Sequence, residues 1–267
     1  MRRMLTRPGL RRIAALMGYR SQLDLEGPYD SWDKARGASD GWESGAILEA
    51  VTASAAKVIR GEAPYERDGV CFDEVQHHWA LLASLQRVLL AAGKLEVLDF
   101  GGGMGTTYNY VRPLLPGHWR WSIVEQPAFA EAARAAWGVR DGPRFFDNVR
   151  DCLATGTPNL ALLSGVLQCL EDPWAIAGEL TTAGIEWVIV DRTPMADAPT
   201  RAFVQVVPPS IYPARLPTWV FNERELLDAF REYERVYEFS SPFDPQIPPH
   251  KGFLLRRRDS RTPPIAR

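Results

Sequence analysis

Asp99-Phe100-Gly101-Gly102-Gly103-Met104-Gly105 has the form acid-x-Gly-x-Gly-x-Gly. The apolar run Glu96-Val97-Leu98 leads into it, and a segment of helical composition follows it to about Leu115. Strand, glycine turn and helix start, in that order, let the backbone take angles closed to other residues and approach a ligand closely. The helix start presents free N–H groups and the positive end of its dipole, which together favour a carboxylate.

Two other glycine loops do not fit. A dinucleotide site needs Gly or Ala at the end of G-x-G-x-x-G/A, and counting from Gly101 and Gly103 that place is held by Thr106. A phosphate-binding P-loop needs Gly-Lys-Ser/Thr, which does not follow. The loop instead predicts S-adenosyl-L-methionine as cofactor. Gly101, Gly102, Gly103 and Gly105 surround its methionine carboxylate, and Asp99 accepts from its ammonium. Glu125 ends the next strand, about 20 residues on, where an acid binds both ribose hydroxyls; Gln126 adjoins it. Asp147-Asn148 follows the third strand, where the adenine amino group is held. An Asx turn or helix cap is the alternative there.

Strands and helices alternate around this loop. Expected strands are Glu96–Phe100, Trp119–Val124, Arg144–Phe146, Asn159–Ser164 and Trp187–Val190, with helices opening at Pro127 and near Asp172-Pro173-Trp174. The alternation means βαβ units and a parallel sheet. Upstream, Ile47–Arg60 has helical composition. Phe72, Val75, Trp79, Leu82, Leu85 and Leu89 recur at helical steps and predict an amphipathic helix over Phe72–Leu90, stopped by Gly93. Downstream, Asn222 leads into a helix through Phe230, and Arg235–Phe239 and Gly252–Arg256 read as strands. The chain divides into a basic tail (1–20), a helical cap (21–93), the cofactor-binding domain (94–257) with a Pro-rich insertion (193–217), and a second basic tail (258–267).

The chain has 267 residues, 46% of them hydrophobic, which is ample for a buried core. No stretch approaches the roughly 20 apolar residues of a bilayer helix. No apolar signal core follows the N-terminal arginines, so the expected location is cytoplasmic. Cys71, Cys152 and Cys169 are widely spaced and read as reduced thiols. With 4 histidines and no Cys/His cluster, no metal site is expected.

The 31 basic and 33 acidic residues are unevenly spread. Arg2, Arg3, Arg7, Arg11, Arg12 and Arg20 crowd the start with no acid among them. The body is therefore acidic, and no nucleic-acid partner is expected. Leu5, Leu10, Ile13, Leu16 and Met17 add apolar surface to the tail. That suits a short helix in peripheral contact with an anionic membrane at its inner face; a disordered leader broken at Pro8-Gly9 is the alternative. The sequence sets no oligomeric state.

Ser164-Gly165-Val166-Leu167-Gln168-Cys169-Leu170-Glu171-Asp172-Pro173 resembles the fourth-strand segment of small-molecule class I methyltransferases, many of which have His where Cys169 stands. From about Glu26 to Arg256 the chain also resembles a bacterial methyltransferase family found among surface-polysaccharide genes. The matching stretches include Glu26-Gly27-Pro28-Tyr29, Tyr65-Glu66-Arg67-Asp68, Leu98-Asp99-Phe100-Gly101-Gly102, Asp191-Arg192-Thr193-Pro194 and Pro208-Pro209-Ser210-Ile211-Tyr212. The resemblance implies a Rossmann-like class I methyltransferase fold: a mostly parallel seven-stranded sheet, helices on both faces, and a C-terminal antiparallel strand. It implies Ser164 at the cofactor, and it says little about the substrate; the leading expectation is a small polar acceptor, a small molecule such as a sugar or a glycan intermediate.

Methyl transfer requires alignment of acceptor, methyl and sulfur, and for an oxygen acceptor a base helps. Asp191, at the end of the fifth strand, and His78, on the apolar arc of the Phe72–Leu90 helix, are candidate bases. Arg192 is a candidate for holding an acidic substrate, and Tyr212 sits in the Pro-rich insertion, a candidate lid. A structural ion pair and a packed core histidine are the competing readings of Asp191 and His78. Two other functions compete: a cofactor-binding accessory protein without catalysis, and a nucleotide-dependent oxidoreductase or epimerase. Thr106 and the lack of a Tyr-x-x-x-Lys pair speak against the latter.

Overall fold

The apolar runs at 95–100, 160–164 and 187–190 are strands buried on both faces, whereas the strand Arg144–Phe146 is only partly buried. The computed structural model describes residues 24–43, 45–209, 211–241 and 248–258. Its elements run β1 (Asp24–Tyr29), α1 (Trp32–Gly37), α2 (Gly45–Ile59), β2 (Tyr65–Arg67), β3 (Val70–Phe72), α3 (Trp79–Ala92), β4 (Leu95–Phe100) and α4 (Thr106–Val111). There follow β5 (Trp119–Val124), α5 (Pro127–Trp137), β6 (Arg144–Phe146), α6 (Val149–Leu153), β7 (Leu160–Ser164), α7 (Pro173–Thr182) and β8 (Trp187–Ala196). The chain closes with β9 (Arg201–Val207), β10 (Ala214–Asn222), α8 (Glu223–Asp228), β11 (Tyr233–Ser240) and β12 (His250–Arg257).

Strands β6, β5, β4, β7 and β8 lie side by side and parallel, and β12 then β11 extend them antiparallel. This is the expected Rossmann-like sheet. Neighbours along a strand point to opposite faces, so Leu98, Leu163 and Val190 join one core with α7 and α8, while Val97, Leu162 and Ile189 join another with α3 and α4. Helices on both faces are what a parallel sheet requires.

Among the described residues the sheet has ten strands, three more than expected. Residues 193–217, expected as a Pro-rich insertion, are largely strand: β8 runs on to Ala196, and β9 and β10 form an antiparallel pair that β1 extends. Pro199, Pro208, Pro209 and Pro213 lie between these strands, while Pro194 and Pro217 sit within β8 and β10. Pro208 and Pro213 flank the turn, while Ala202, Val204 and Leu216 bury their side chains. The sheet branches at β8, whose Val188–Val190 face β12 while Met195 and Ala196 pair with β10. The cap is likewise mixed, since β1, β2 and β3 accompany its helices. Tail residues 1–20, and the second tail beyond residue 258, lie outside the described residues. No helix among the described residues is long and apolar enough to cross a membrane.

Candidate active site

A cavity of about 860 Å³ opens where the parallel strands end, the place where open α/β sheets bind ligands. Gly101, Gly102 and Gly103 of the glycine loop form one wall of it. Asp99 is buried at the end of β4, and its Oδ2 accepts from Trp121 Nε1 at 2.9 Å. Burial pushes its carboxyl up to about 7, the neighbouring Glu125 charge adds to this, and the Trp121 bond opposes it. A carboxyl in that state gains from a cation brought by a ligand.

Gly102 has no room for a side chain: a Cβ would stand 2.5 Å from the Asp99 carboxyl carbon. At Gly101 φ is 71° and a Cβ would strike Val166 at 2.4 Å. Gly102→Ala must therefore move Asp99 or the loop. It should weaken S-adenosylhomocysteine, measured by calorimetry, by roughly 1.5–3 kcal/mol, the worth of one charge-assisted bond. Unchanged affinity would remove Asp99 from the ligand's amino-acid end.

Glu125 turns back onto this loop, its Oε1 accepting from Gly103 N–H at 3.3 Å and its Oε2 from Gln126 N–H at 2.7 Å. Burial raises its carboxyl above the usual range. Gln126 is exposed beside it. Asp147 lines the same wall and pairs with Arg134. Asn148 also lines it but is the N-cap of α6, its Oδ1 accepting from Asp151 N–H at 2.9 Å. Gly105 departs from expectation. It stands behind the loop as N-cap of α4, near Pro143 and Trp137, outside the cavity wall.

The floor is a buried polar chain. Asp191 is fully buried; its Oδ1 meets His78 Nε2 at 2.9 Å and its Oδ2 accepts from Ser164 Oγ at 2.9 Å. His78 Nδ1 accepts from Leu81 N–H at 3.4 Å, so Nε2 carries the proton and donates to Asp191. The expected Phe72–Leu90 helix begins only at Trp79, with His78 as its N-cap. Phe72 is drawn instead into a hairpin opposite Tyr65, a tertiary pairing that helical periodicity cannot show.

That hairpin, β2–β3, closes the cavity over the glycine loop and brings in residues outside the predicted set. Glu66 is buried, hydrogen-bonded to Thr106 and Ser54, and pushed up by burial to about 7. Asp68, at its tip, takes a 2.8 Å ion pair from Arg192, and Tyr212 stands buried in the same wall. Tyr110, one turn into α4, is buried with its hydroxyl unpartnered among the described residues. Asp68-Gly69 between Tyr65 and Phe72 is a hairpin signature that would have located β2–β3.

The wall fits S-adenosylmethionine in three respects: a buried acid for an ammonium, Gly101 and Gly102 with no room for side chains, and an acid ending the second strand for the ribose. No protein-family model and no curated protein matches the chain. Among solved structures it is similar to the Burkholderia thailandensis 1,6-didemethyltoxoflavin-N1-methyltransferase with bound 1,6-didemethyltoxoflavin and S-adenosylhomocysteine, at 18% identity over 90% of this chain and 97% of that one, with a TM-score of 0.47. It is similar also to an amino pentose methyltransferase from Micromonospora echinaspora, at 14% identity over 67% of this chain and 91% of that one, with a TM-score of 0.46.

Proposed function

We propose that the chain is an S-adenosyl-L-methionine-dependent methyltransferase acting on a small polar acceptor, a sugar or glycan intermediate. The observation that carries the reading is the buried Asp99 beside a side-chain-free loop, with Glu125 folded onto that loop from the neighbouring strand. Asp99 takes the cofactor's ammonium, Gly101, Gly102 and Gly103 face its carboxylate, Glu125 takes the ribose hydroxyls and Asp147 the adenine amino group. The cofactor supplies an activated methyl group, and the chain's task is to align an acceptor with it.

Both carboxylate oxygens of Asp191 are already engaged, and so are both ring nitrogens of His78. In this reading the two hold Ser164 and the floor in place, while Arg192 and Tyr212 face the acceptor. The polar wall around Arg192 supports a small polar acceptor. Incubation with labelled S-adenosylmethionine and extracted surface-glycan precursors should transfer label to a sugar-containing species. Label in none of them would overturn the sugar assignment.

We place the enzyme at the cytoplasmic side of a membrane through its first twenty residues, on composition alone. Each arginine near an anionic surface is worth about 1 kcal/mol, and the sum falls with salt. Full-length protein should co-sediment with anionic vesicles at low salt, and a chain starting at Ser21 should not. Equal behaviour of the two would eliminate the contact.

A further inference from the structure

A side chamber of about 140 Å³ adjoins the main cavity where the sheet branches, beneath β9 and β10. Asp68, Gly165, Cys169, Arg192, Tyr212 and Trp42 belong to both walls. A group passing from one space to the other crosses at these residues.

The backbone is unusual at this junction. Among the described residues, Asp68 (φ 52°) and Arg192 (φ 51°) are the non-glycine residues with positive φ, and they pair with each other across 124 positions of chain. Asp68 adopts it readily: with Gly69 (φ 82°) it forms the tip of the β2–β3 hairpin, an Asp-Gly turn that needs positive φ at both places. Arg192 does not, because a bulky residue there is strained, and such strain persists where the surroundings over-determine it. Gln168 Nε2 donates to the Arg192 carbonyl at 3.1 Å, and the guanidinium packs on Gly165, where a Cβ would stand 3.5 Å from Nη1. The strain is therefore located where the two spaces meet.

The chamber's chemistry selects its occupant. At the junction Asp68 pairs with Arg192 at 2.8 Å and lies 3.8 Å from Arg67, so a charged guest would have to break into these pairs. Gln168, with Nε2 committed to Arg192, presents an Oε1 that is buried and without a donor among the described residues. That oxygen calls for an O–H or N–H from a ligand. Gln205 and Thr218 add uncharged polar groups among apolar walls.

We propose that the side chamber seats an uncharged, hydroxyl-bearing acceptor of monosaccharide type, and that Asp68, held by Arg192, is the base that takes its proton. The proposal rests on the methyltransferase reading above. As the acceptor oxygen forms its bond to the methyl carbon, the methyl–sulfur bond breaks and its electron pair stays on sulfur, leaving a neutral thioether. The hydroxyl proton passes to the Asp68 carboxylate, which is 42% exposed and returns it to water.

The test uses the full-length protein saturated with S-adenosylhomocysteine and three methyl α-glycosides of matched skeleton: those of D-glucose (neutral), D-glucuronate (anion) and D-glucosamine (cation). Saturation-transfer NMR should show binding of the neutral glycoside in preference to both charged sugars, and Gln168→Leu should abolish it. Asp68→Asn should lower methyl transfer from labelled S-adenosylmethionine to the glycoside roughly 100-fold, the usual worth of a general base. Its S-adenosylhomocysteine affinity and glycoside signal should stay close to wild type. Binding of a charged sugar instead, or of none while S-adenosylhomocysteine binds, would overturn the chamber assignment. Wild-type turnover in Asp68→Asn would overturn the base. Failure of wild-type protein to bind S-adenosylhomocysteine would instead strike the reading beneath.

Discussion

Replacing Asp191 with alanine should destabilise the protein by roughly 2–6 kcal/mol, because two buried donors lose their acceptor at about 1–3 kcal/mol each. Asp191 has no exposure to solvent, and its two carboxylate oxygens are shared between His78 Nε2 and Ser164 Oγ, each at 2.9 Å. The substitution orphans two donors at once. It also frees the N-terminus of α3, because His78 is the cap of that helix. Asp191→Asn should cost less, yet still destabilise, since an amide offers an acceptor to one of the two donors and an N–H to the other. Urea unfolding measures both. The double mutant Asp191→Ala/His78→Ala should be non-additive, because the histidine has lost its partner already. A loss within about 0.5 kcal/mol, typical of a surface change, would contradict the account of the floor.

Asp99→Asn should weaken S-adenosylhomocysteine by roughly 1.5–3 kcal/mol while leaving adenosine nearly untouched. Only the former carries the amino-acid ammonium that Asp99 is built to meet. Glu125→Ala should weaken both, because both have the ribose. The pH dependence follows from the burial of Asp99, which pushes its carboxyl up to about 7 in the free protein. An ammonium favours the ionised carboxylate, so below that point wild-type affinity should rise with pH by up to about tenfold per unit and then level off. Adenosine affinity should rise less, through Glu125 alone, whose carboxyl is also raised by burial. Glu66, also near 7, lines the cavity and leaves Asp99→Asn a residual dependence.

Stability runs the other way. The folded free protein holds protons on Asp99 and Glu66 that the unfolded chain has lost. Unfolding midpoints should therefore fall as pH rises from about 5 to about 8, and fall less in Asp99→Asn. A ligand affinity independent of pH would detach Asp99 from the ammonium.

Local signals carried the centre of the molecule. Asp99–Gly105 and the β4–β8 alternation are read from contiguous residues, and Glu125 from its distance along the chain. Asn222 before α8 and Pro127 at the start of α5 are local signals as well. What escaped depends on partners far away in sequence. The proline content of 193–217 hides β9 and β10, which are strands because β1 and β8 pair with them. Phe72 keeps helical register with Trp79 but pairs with Tyr65. Asp68 and Glu66 acquire meaning only from Arg192 and Thr106. Gly105 matches the loop pattern, yet its part is to turn the chain into α4 rather than to line the cavity.

The most direct test of the cofactor assignment is a calorimetric titration of the full chain at neutral pH with S-adenosylhomocysteine and, separately, with NAD. Saturable binding of S-adenosylhomocysteine and no heat from NAD are expected. Saturable NAD binding without any S-adenosylhomocysteine signal would contradict the assignment.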